Sequence, residues 1–355
     1  MIIADMKKRI EYIDALKGFS VLWVVLYHFN LSSDFVNAPL RLPVFFLISG
    51  FFFRQRNCFK DFLIKKVNTL LIPFLFFWVF GIGMRFITST LDYIIHGEFD
   101  FSIKLYLRGF LKLFTIIPLD STNGNPLEIG AIWFLIGLFC LQMIYYGLLK
   151  ISENIYLLTS IALGCFFLSF YLTENICAFG SLLYIPYVLR YLIFYILGHK
   201  LFGKFLSHIQ SPRNKITYLA SLIPVFIGTL YINNLIESRG CNISHVFTLI
   251  QTLLFTGIIT IIFSYIHKWK FCKIFSYFGK NSIVIFGSHM AIMPFITIPA
   301  AMLLHCQPNT WSAVAFEYPC LVIVCYILTE LLIKYWPSCI GRKDVINYRC
   351  SSTPL

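Results

Sequence analysis

The chain has 355 residues, of which 58% are hydrophobic and 13% are charged, and its mean hydropathy is +0.77. Because a soluble domain carries about 25% charged residues, this composition excludes an ordinary soluble protein and indicates an integral membrane protein. The net charge of +13 comes from short basic clusters between apolar segments, which is typical of membrane topology and argues against a nucleic-acid partner.

Ten apolar windows are long enough to cross about 30 Å of hydrocarbon. They are helix-length and lack the alternation of barrel strands, and only helices or closed barrels satisfy the backbone in lipid. The sequence therefore predicts an all-α integral membrane protein, a bundle of about ten transmembrane helices. The windows are 12–30, 36–53, 67–88, 129–149, 155–173, 179–199, 216–236, 244–266, 281–303 and 313–333.

Orientation follows from the basic residues in the connections. With a cytoplasmic N-terminus, 21 of the 29 Lys and Arg residues lie on the cytoplasmic side and six lie outside. The positive-inside rule therefore predicts that both termini are cytoplasmic. We expect one transmembrane domain over 1–335 and a poorly ordered cytoplasmic tail over 336–355.

The first window contains three ionisable residues, Asp14, Lys17 and His28. Each costs roughly 2.5 to 3.5 kcal/mol near a bilayer centre, so their presence needs a reason. At about 100° per residue, Lys17 and His28 share one helix face about 16 Å apart, and Asp14 lies within about 60° of it. Snorkelling of Lys17 and an interfacial position of His28 explain each residue alone, whereas the shared face favours a function. Asp14 is interpreted as a partner of Lys17 or of the cytoplasmic basic cluster.

The long connection 89–128 contains a second basic stripe. Lys104, Arg108 and Lys112 recur every four residues among apolar neighbours, which predicts an amphipathic helix lying in the membrane surface. This helix is either purely structural or gathers an anionic, lipid-linked acceptor beside the active site.

Eleven cysteines are scattered without a CxxC pair, and we interpret them as small buried hydrophobes, not as a disulfide or metal framework. The sequence contains no GxSxG, no HExxH and no clustered His and Cys residues. It therefore gives no support to a serine hydrolase or to a metal site.

The pair Lys17-x10-His28 resembles the basic-x10-His signature in the first helix of the acyltransferase-3 family. These bacterial ten-helix membrane enzymes acylate extracytoplasmic glycans and glycolipids. Further similar blocks follow in the family's order: "LPVFFLISGFFF" (42–53), "WFL" from Trp133, and "FGKNSIVIFGSH" (278–289).

Two positions depart from the family pattern. Many members carry Arg-x-x-Arg at the start of the third helix, whereas this chain has Lys65 and Lys66 followed by Asn68 and Thr69. Many polysaccharide O-acetyltransferases have a glutamate where this chain has Leu138.

The resemblance implies acyl-CoA as co-substrate, no permanently bound cofactor, and a carbohydrate or lipid-linked glycan as acceptor. It also implies a multi-pass protein of the bacterial inner membrane, as a homo-oligomer or with surface-glycan assembly proteins as partners. His28 would act as general base, or as a nucleophile that carries the acyl group. The candidate residues are, for catalysis, His28 and His289; for acyl-CoA binding, Lys17, Lys65, Lys66 and Arg190; and for the substrate cavity, Asp14, Ser49, Trp133, Asn281 and Ser282.

Several of these residues keep a second interpretation. His289 is either a core histidine or a second catalytic residue, and Arg190 needs a carboxylate, a carbonyl or a ligand phosphate. Ser49 with the adjacent glycine allows close helix packing or a helix break, and we favour packing. Asn281 and Ser282 are also candidates for capping the ninth helix. For the whole chain, the competing function is a transporter or flippase, although no inverted repeat is visible.

Overall fold

The computed structural model describes residues 11–33, 40–56, 58–115, 131–175, 182–237, 244–304 and 310–347, and these contain helices and no strand. The prediction of an all-α membrane protein is confirmed. The helices are α1 Glu11–Tyr27, α2 Arg41–Phe51, α3 Phe59–His96, α4 Ile103–Lys112, α5 Trp133–Ile151, α6 Ile155–Asn175, α7 Leu182–His208, α8 Pro212–Glu237, α9 Ser244–Ile266, α10 Lys270–Lys280, α11 Ser282–Ile292, α12 Pro294–Leu304 and α13 Trp311–Tyr335.

Each of the ten predicted windows contains a helix. Seven of the described helices are long and apolar enough to cross a membrane, and α11 with α12 forms an eighth candidate that is bent by 43°. The first two windows fall short, because α1 has 17 residues and α2 has 11. At roughly 1.5 Å per residue they are about 25 Å and about 17 Å long. α1 ends early because the chain turns at residues 28–30, where Asn30 has a φ of +50°.

The contacts divide the chain into two compact units, each built from two separate stretches of sequence. The first unit comprises Met1–Phe53 and Phe194–Ser282, and the second comprises Arg54–Ile193 and Ile283–Leu355. α7 begins in the second unit and ends in the first.

Glycine contacts hold the first unit together. α10 lies along α1, and a Cβ atom on Gly18 would overlap the Phe275 carbonyl, just as one on Gly279 would overlap the Asp14 carbonyl. The two backbones are therefore in direct contact, which is the packing that small residues permit between membrane helices.

α2 meets the C-terminal half of α7 in the same way. A Cβ atom on Gly50 would overlap the Tyr195 carbonyl, and one on Gly198 would overlap the Leu47 carbonyl. α2 continues without a break through Ser49 and Gly50. The packing interpretation is confirmed for Gly50, and the place of Ser49 in the substrate cavity stays a prediction.

Aromatic contacts organise the second unit. On α11, Phe286 stacks on Phe134 of α5 at a centroid distance of 4.5 Å, and Gly287 makes room for the ring of Phe77 on α3. The predicted helix in the connection 89–128 is present as α4, which packs on α3 through Phe110. Its membrane-surface position stays a prediction.

Six of the described cysteines are free, and three of these are buried. Cys58 is disulfide-bonded, so the prediction that the cysteines are only buried hydrophobes is wrong for this residue. The free cysteines are Cys140, Cys165, Cys272, Cys320, Cys325 and Cys339.

Candidate active site

Asp14, Lys17 and His28 of the predicted stripe all lie in the first unit, and their shared face stays a prediction. Asp14 is buried, and Lys17 is partly buried with its Nζ atom 5.1 Å from the centre of the Phe45 ring. His28 follows directly after the last residue of α1 and is partly exposed. At the helical rise of roughly 1.5 Å per residue, Lys17 in the first half of α1 and His28 just past its end are about 16 Å apart.

The surroundings of His28 include an arginine that the sequence analysis did not single out. The Tyr27 ring lies 5.3 Å from the His28 ring, and the Arg41 guanidinium lies 3.5 Å from the centre of the Tyr27 ring. Arg41 is buried, and its carbonyl accepts a 2.6 Å hydrogen bond from the Ser20 hydroxyl. The sequence contained no signal for it, because nothing there relates Arg41, near the start of the second window, to His28 until α1 and α2 are packed together.

Asn281 and Ser282 are buried where α10 ends and α11 begins. The Asn281 side chain donates to the Tyr277 carbonyl at 3.0 Å, so it satisfies the last turn of α10. Because Gly279 contacts Asp14, these two residues follow directly on the contact between α10 and α1.

His289 lies on α11 in the second unit and is fully buried. Its Nδ1 atom is 2.5 Å from the Ile285 carbonyl oxygen. A carbonyl oxygen only accepts, so the hydrogen of the neutral ring is on Nδ1 and the lone pair is on Nε2. The geometry is compatible with both interpretations of His289, as a core residue and as a second base.

Cations gather near the C-terminal end of α5. The rings of Phe62 and Tyr146 stack at 4.6 Å, with Lys66 5.3 Å from the former and Lys150 5.5 Å from the latter. Lys65 forms an ion pair of 2.9 Å with Asp344. The assignment of Lys65 and Lys66 to acyl-CoA stays a prediction, and Lys150 lies beside the same pair of rings as Lys66.

Arg190 and Trp133 come together at the other end of α5. The Arg190 guanidinium lies 4.3 Å from the centres of the Phe170 and Tyr187 rings. The edge of Trp133 meets Tyr187 at a centroid distance of 5.0 Å. Arg190 also donates to the hydroxyls of two α6 residues, Ser169 at 3.1 Å and Thr173 at 3.0 Å. The carbonyl, carboxylate or phosphate expected for Arg190 is replaced by hydroxyls and rings within the described part of the chain.

Comparison with known proteins decides the family. The family model described as an acyltransferase domain, acyltransferase-3, matches residues 10–330. The chain belongs to the acyltransferase-3 family. It is therefore a membrane acyltransferase. No curated protein and no solved structure matches the chain.

Asn68, which lies where this chain departs from the family's Arg-x-x-Arg motif, has a structural role. Asn68, within a π-helical stretch of α3, is buried and binds the backbone of the C-terminal segment. Its Oδ1 atom accepts from the amides of Val345 and Ile346 at 3.0 Å, and its Nδ2 atom donates to the Ile346 carbonyl at 2.9 Å. The prediction of a poorly ordered tail is therefore wrong for Val345 and Ile346, because a buried side chain binds their backbone.

An Asn68→Ala variant should release this segment. Loss of three hydrogen bonds should lower the free energy of unfolding by about 1 to 3 kcal/mol and speed amide exchange at Val345 and Ile346 at least tenfold. Hydrogen–deuterium exchange measures this, with Asn214→Ala as the control, since Asn214 is exposed. Unchanged exchange in the Asn68 variant would show that the segment is held by other contacts.

Proposed function

We propose that this acyltransferase moves an acyl group, with acetyl as first choice, from cytoplasmic acyl-CoA to a hydroxyl of an extracytoplasmic polysaccharide or lipid-linked glycan. The observation that carries the proposal is the arrangement along α1, with Lys17 partly buried in its first half and His28 partly exposed directly after its last residue. The pantetheine arm of acyl-CoA is long and slender, and its phosphates need cations. A cation and an imidazole about 16 Å apart suit a donor of that shape.

Lys17, Lys65 and Lys66 are assigned to the nucleotide phosphates of the donor. All three lie on the side that the charge count predicts to be cytoplasmic, where acyl-CoA is made. Lys150 joins this group because it flanks the same pair of stacked rings as Lys66.

His28 acts as general base in the direct mechanism. Its imidazole takes the proton of the acceptor hydroxyl as the oxygen attacks the thioester carbonyl carbon. The C–S bond then breaks, and the departing CoA sulfur receives a proton as the ester is released. In the alternative mechanism His28 carries the acyl group itself, and the kinetics are then ping-pong.

Several observations support this proposal over a transporter or flippase. Membership of the acyltransferase-3 family identifies the chain as a membrane acyltransferase. Transporters of the inverted-repeat type have broken helices in matching positions of both halves, whereas the described residues contain one bent helix pair, α11 with α12.

Glycan analysis of a deletion strain tests the proposed function. Mass spectrometry should show that an ester substituent disappears from surface glycans that are still exported, and that expression of the chain restores it. If the exported polymer itself is lost, the transporter interpretation is correct. If the glycans are unchanged in ester content and amount, the acceptor class is wrong.

A further inference from the structure

Three side chains of the second unit, Trp133, Tyr187 and Arg190, form a cluster that the donor assignment does not need. Trp133 and Tyr187 are partly exposed and meet edge to face. Arg190 lies over the Tyr187 ring and is also partly exposed. Partly exposed aromatic rings beside a cation combine an apolar surface with a charge.

The contacts that Arg190 makes with the described residues are to neutral groups. Its hydrogen bonds go to the hydroxyls of Ser169 and Thr173, and no carboxylate in the described ranges forms an ion pair with it. A guanidinium in a membrane protein needs an anion or a dense set of acceptors, and two neutral hydroxyls satisfy only part of its five donors. An anionic ligand would supply the missing charge.

The cluster is far from the lysines assigned to the donor. Trp133 is the first residue of α5, and Tyr146, which stacks on Phe62 beside Lys66, lies near its end. The two positions are about 20 Å apart at the helical rise of roughly 1.5 Å per residue. A phosphate held by Lys66 therefore does not reach Arg190 at the same time, and the charge count predicts that Trp133, near the start of the window 129–149, lies toward the extracytoplasmic side.

An unusual turn connects the cluster to α4. Leu182, Leu183 and Tyr184 have φ values of 45°, 55° and 58°, in the left-handed region that non-glycine residues avoid. The turn is held by the amides of Leu182 and Leu183, which donate to the carbonyls of Thr115 at 2.9 Å and Leu113 at 2.6 Å. Leu113 is the residue directly after α4, and Thr115 lies two residues further along the chain.

The turn fixes the cluster relative to the basic stripe of α4. Tyr184, the last residue of the turn, is buried with its ring centroid 5.7 Å from that of Trp133, and Tyr187 is one helical turn further on. On α4, Lys104 and Arg108 are exposed. Cations that attract an anionic lipid-linked molecule are thus joined through the backbone to the aromatic cluster.

We propose that Trp133, Tyr187 and Arg190 form the acceptor subsite, and that it binds a sugar that carries an anionic group. The apolar face of the sugar packs on the two rings, and the phosphate or carboxylate binds the guanidinium. This inference rests on the proposed function for the identity of the acceptor, and it assigns Arg190 to the acceptor and not to acyl-CoA. The stripe of α4 brings the anionic acceptor to the subsite.

Binding without any acyl donor tests the subsite separately from the proposed function. The purified full chain in nanodiscs is titrated with three probes. Short-chain isoprenyl-phosphoryl glucose carries a phosphate, isoprenyl glucuronide carries a carboxylate, and the isoprenyl glucoside is neutral. Comparison of the first two shows which anionic group the subsite prefers. The unmodified protein should bind at least one anionic probe at least tenfold more tightly than the neutral one. Equal or absent binding of all three probes would overturn the subsite, whatever the outcome of the glycan analysis.

Variants identify the residues. Arg190→Met should abolish the preference for the anionic probes, and Tyr187→Leu should weaken binding of all probes at least fivefold. Arg190→Lys keeps the positive charge and should keep the preference for the anionic probes. This variant tests the role of the charge if the Arg190→Met protein does not fold. The controls are Arg213→Met and Tyr156→Leu, both at exposed positions. An Arg190→Met protein that still prefers the anionic probes, or an Arg190→Lys protein that does not, would overturn the assignment.

Discussion

A His28→Ala variant should lose acyl transfer by about 10²- to 10⁴-fold or more, because a positioned general base contributes a factor of that size. The amount of protein in the membrane should not change, since His28 follows the last residue of α1 and is partly exposed. Truncation of a partly exposed side chain should cost less than a large-to-small substitution in the buried core. Ester content of surface glycans in cells, together with transfer from labelled acetyl-CoA by the purified protein, measures the loss.

The matched control for this variant is His208→Ala. His208 is exposed near the end of α7, and its Nδ1 atom is 2.7 Å from the Lys204 carbonyl oxygen. We expect this variant to acylate like the unmodified protein. Normal acylation by the His28→Ala protein would show that His28 does not take part in the reaction. An equal loss of acylation in both variants would indicate a general effect on folding.

A Gly18→Leu variant should not accumulate as folded protein. A side chain at this position overlaps the backbone carbonyl of Phe275, and backbone of a packed helix does not move aside as a flexible side chain does. The separation of α10 from α1 should cost about 3 kcal/mol or more of folding free energy. Fluorescence-detected size-exclusion chromatography and the melting temperature in detergent report the loss.

Gly164→Leu is the control, because no atom of the neighbouring structure lies within 4 Å of a Cβ atom built on this α6 glycine. It adds the same side chain to a membrane helix without a clash. We expect its yield and melting temperature to match those of the unmodified protein. A Gly18→Leu protein as stable as the Gly164→Leu protein would contradict the direct backbone contact between α1 and α10.

The helices could be predicted from the sequence because their cause is local. In lipid each segment must satisfy its own backbone hydrogen bonds, so hydropathy alone placed helices in all ten windows. The glycine of "FLISGFFF" could be interpreted as a packing residue for a similar reason, since close approach of helices requires a small side chain. The length of α1 could not be predicted, because the turn at Asn30 interrupts an apolar stretch that reads as continuous.

The parts that were missed depend on contacts between distant residues. Asn68 binds the backbone of Val345 and Ile346, which are more than 270 positions away in the chain. The left-handed turn at 182–184 contains no glycine or asparagine to signal it, and hydrogen bonds to Leu113 and Thr115 hold it. Arg41 became a candidate only when packing placed its guanidinium over the ring next to His28.

The sequence predicted part of the candidate site from helix periodicity. Asp14 and Lys17 lie on α1 and His28 lies directly after it, and a rotation of about 100° per residue predicts that they share a face. The partners of Arg190 were not predictable in the same way, because the rings and hydroxyls around it come from a separate helix, α6, as well as from α7. The expectation that this arginine binds the donor rested on its charge alone.

Transfer across a sealed membrane tests the central claim most directly, namely that acyl transfer from a cytoplasmic donor to an extracytoplasmic hydroxyl depends on His28. Purified protein is reconstituted into proteoliposomes that enclose de-esterified surface glycan, and labelled acetyl-CoA is added only outside. Label should appear as alkali-labile ester on the enclosed glycan, and His28→Ala proteoliposomes should show none. Label confined to glycan added on the same side as acetyl-CoA, or equal labelling by the His28→Ala protein, would contradict the account.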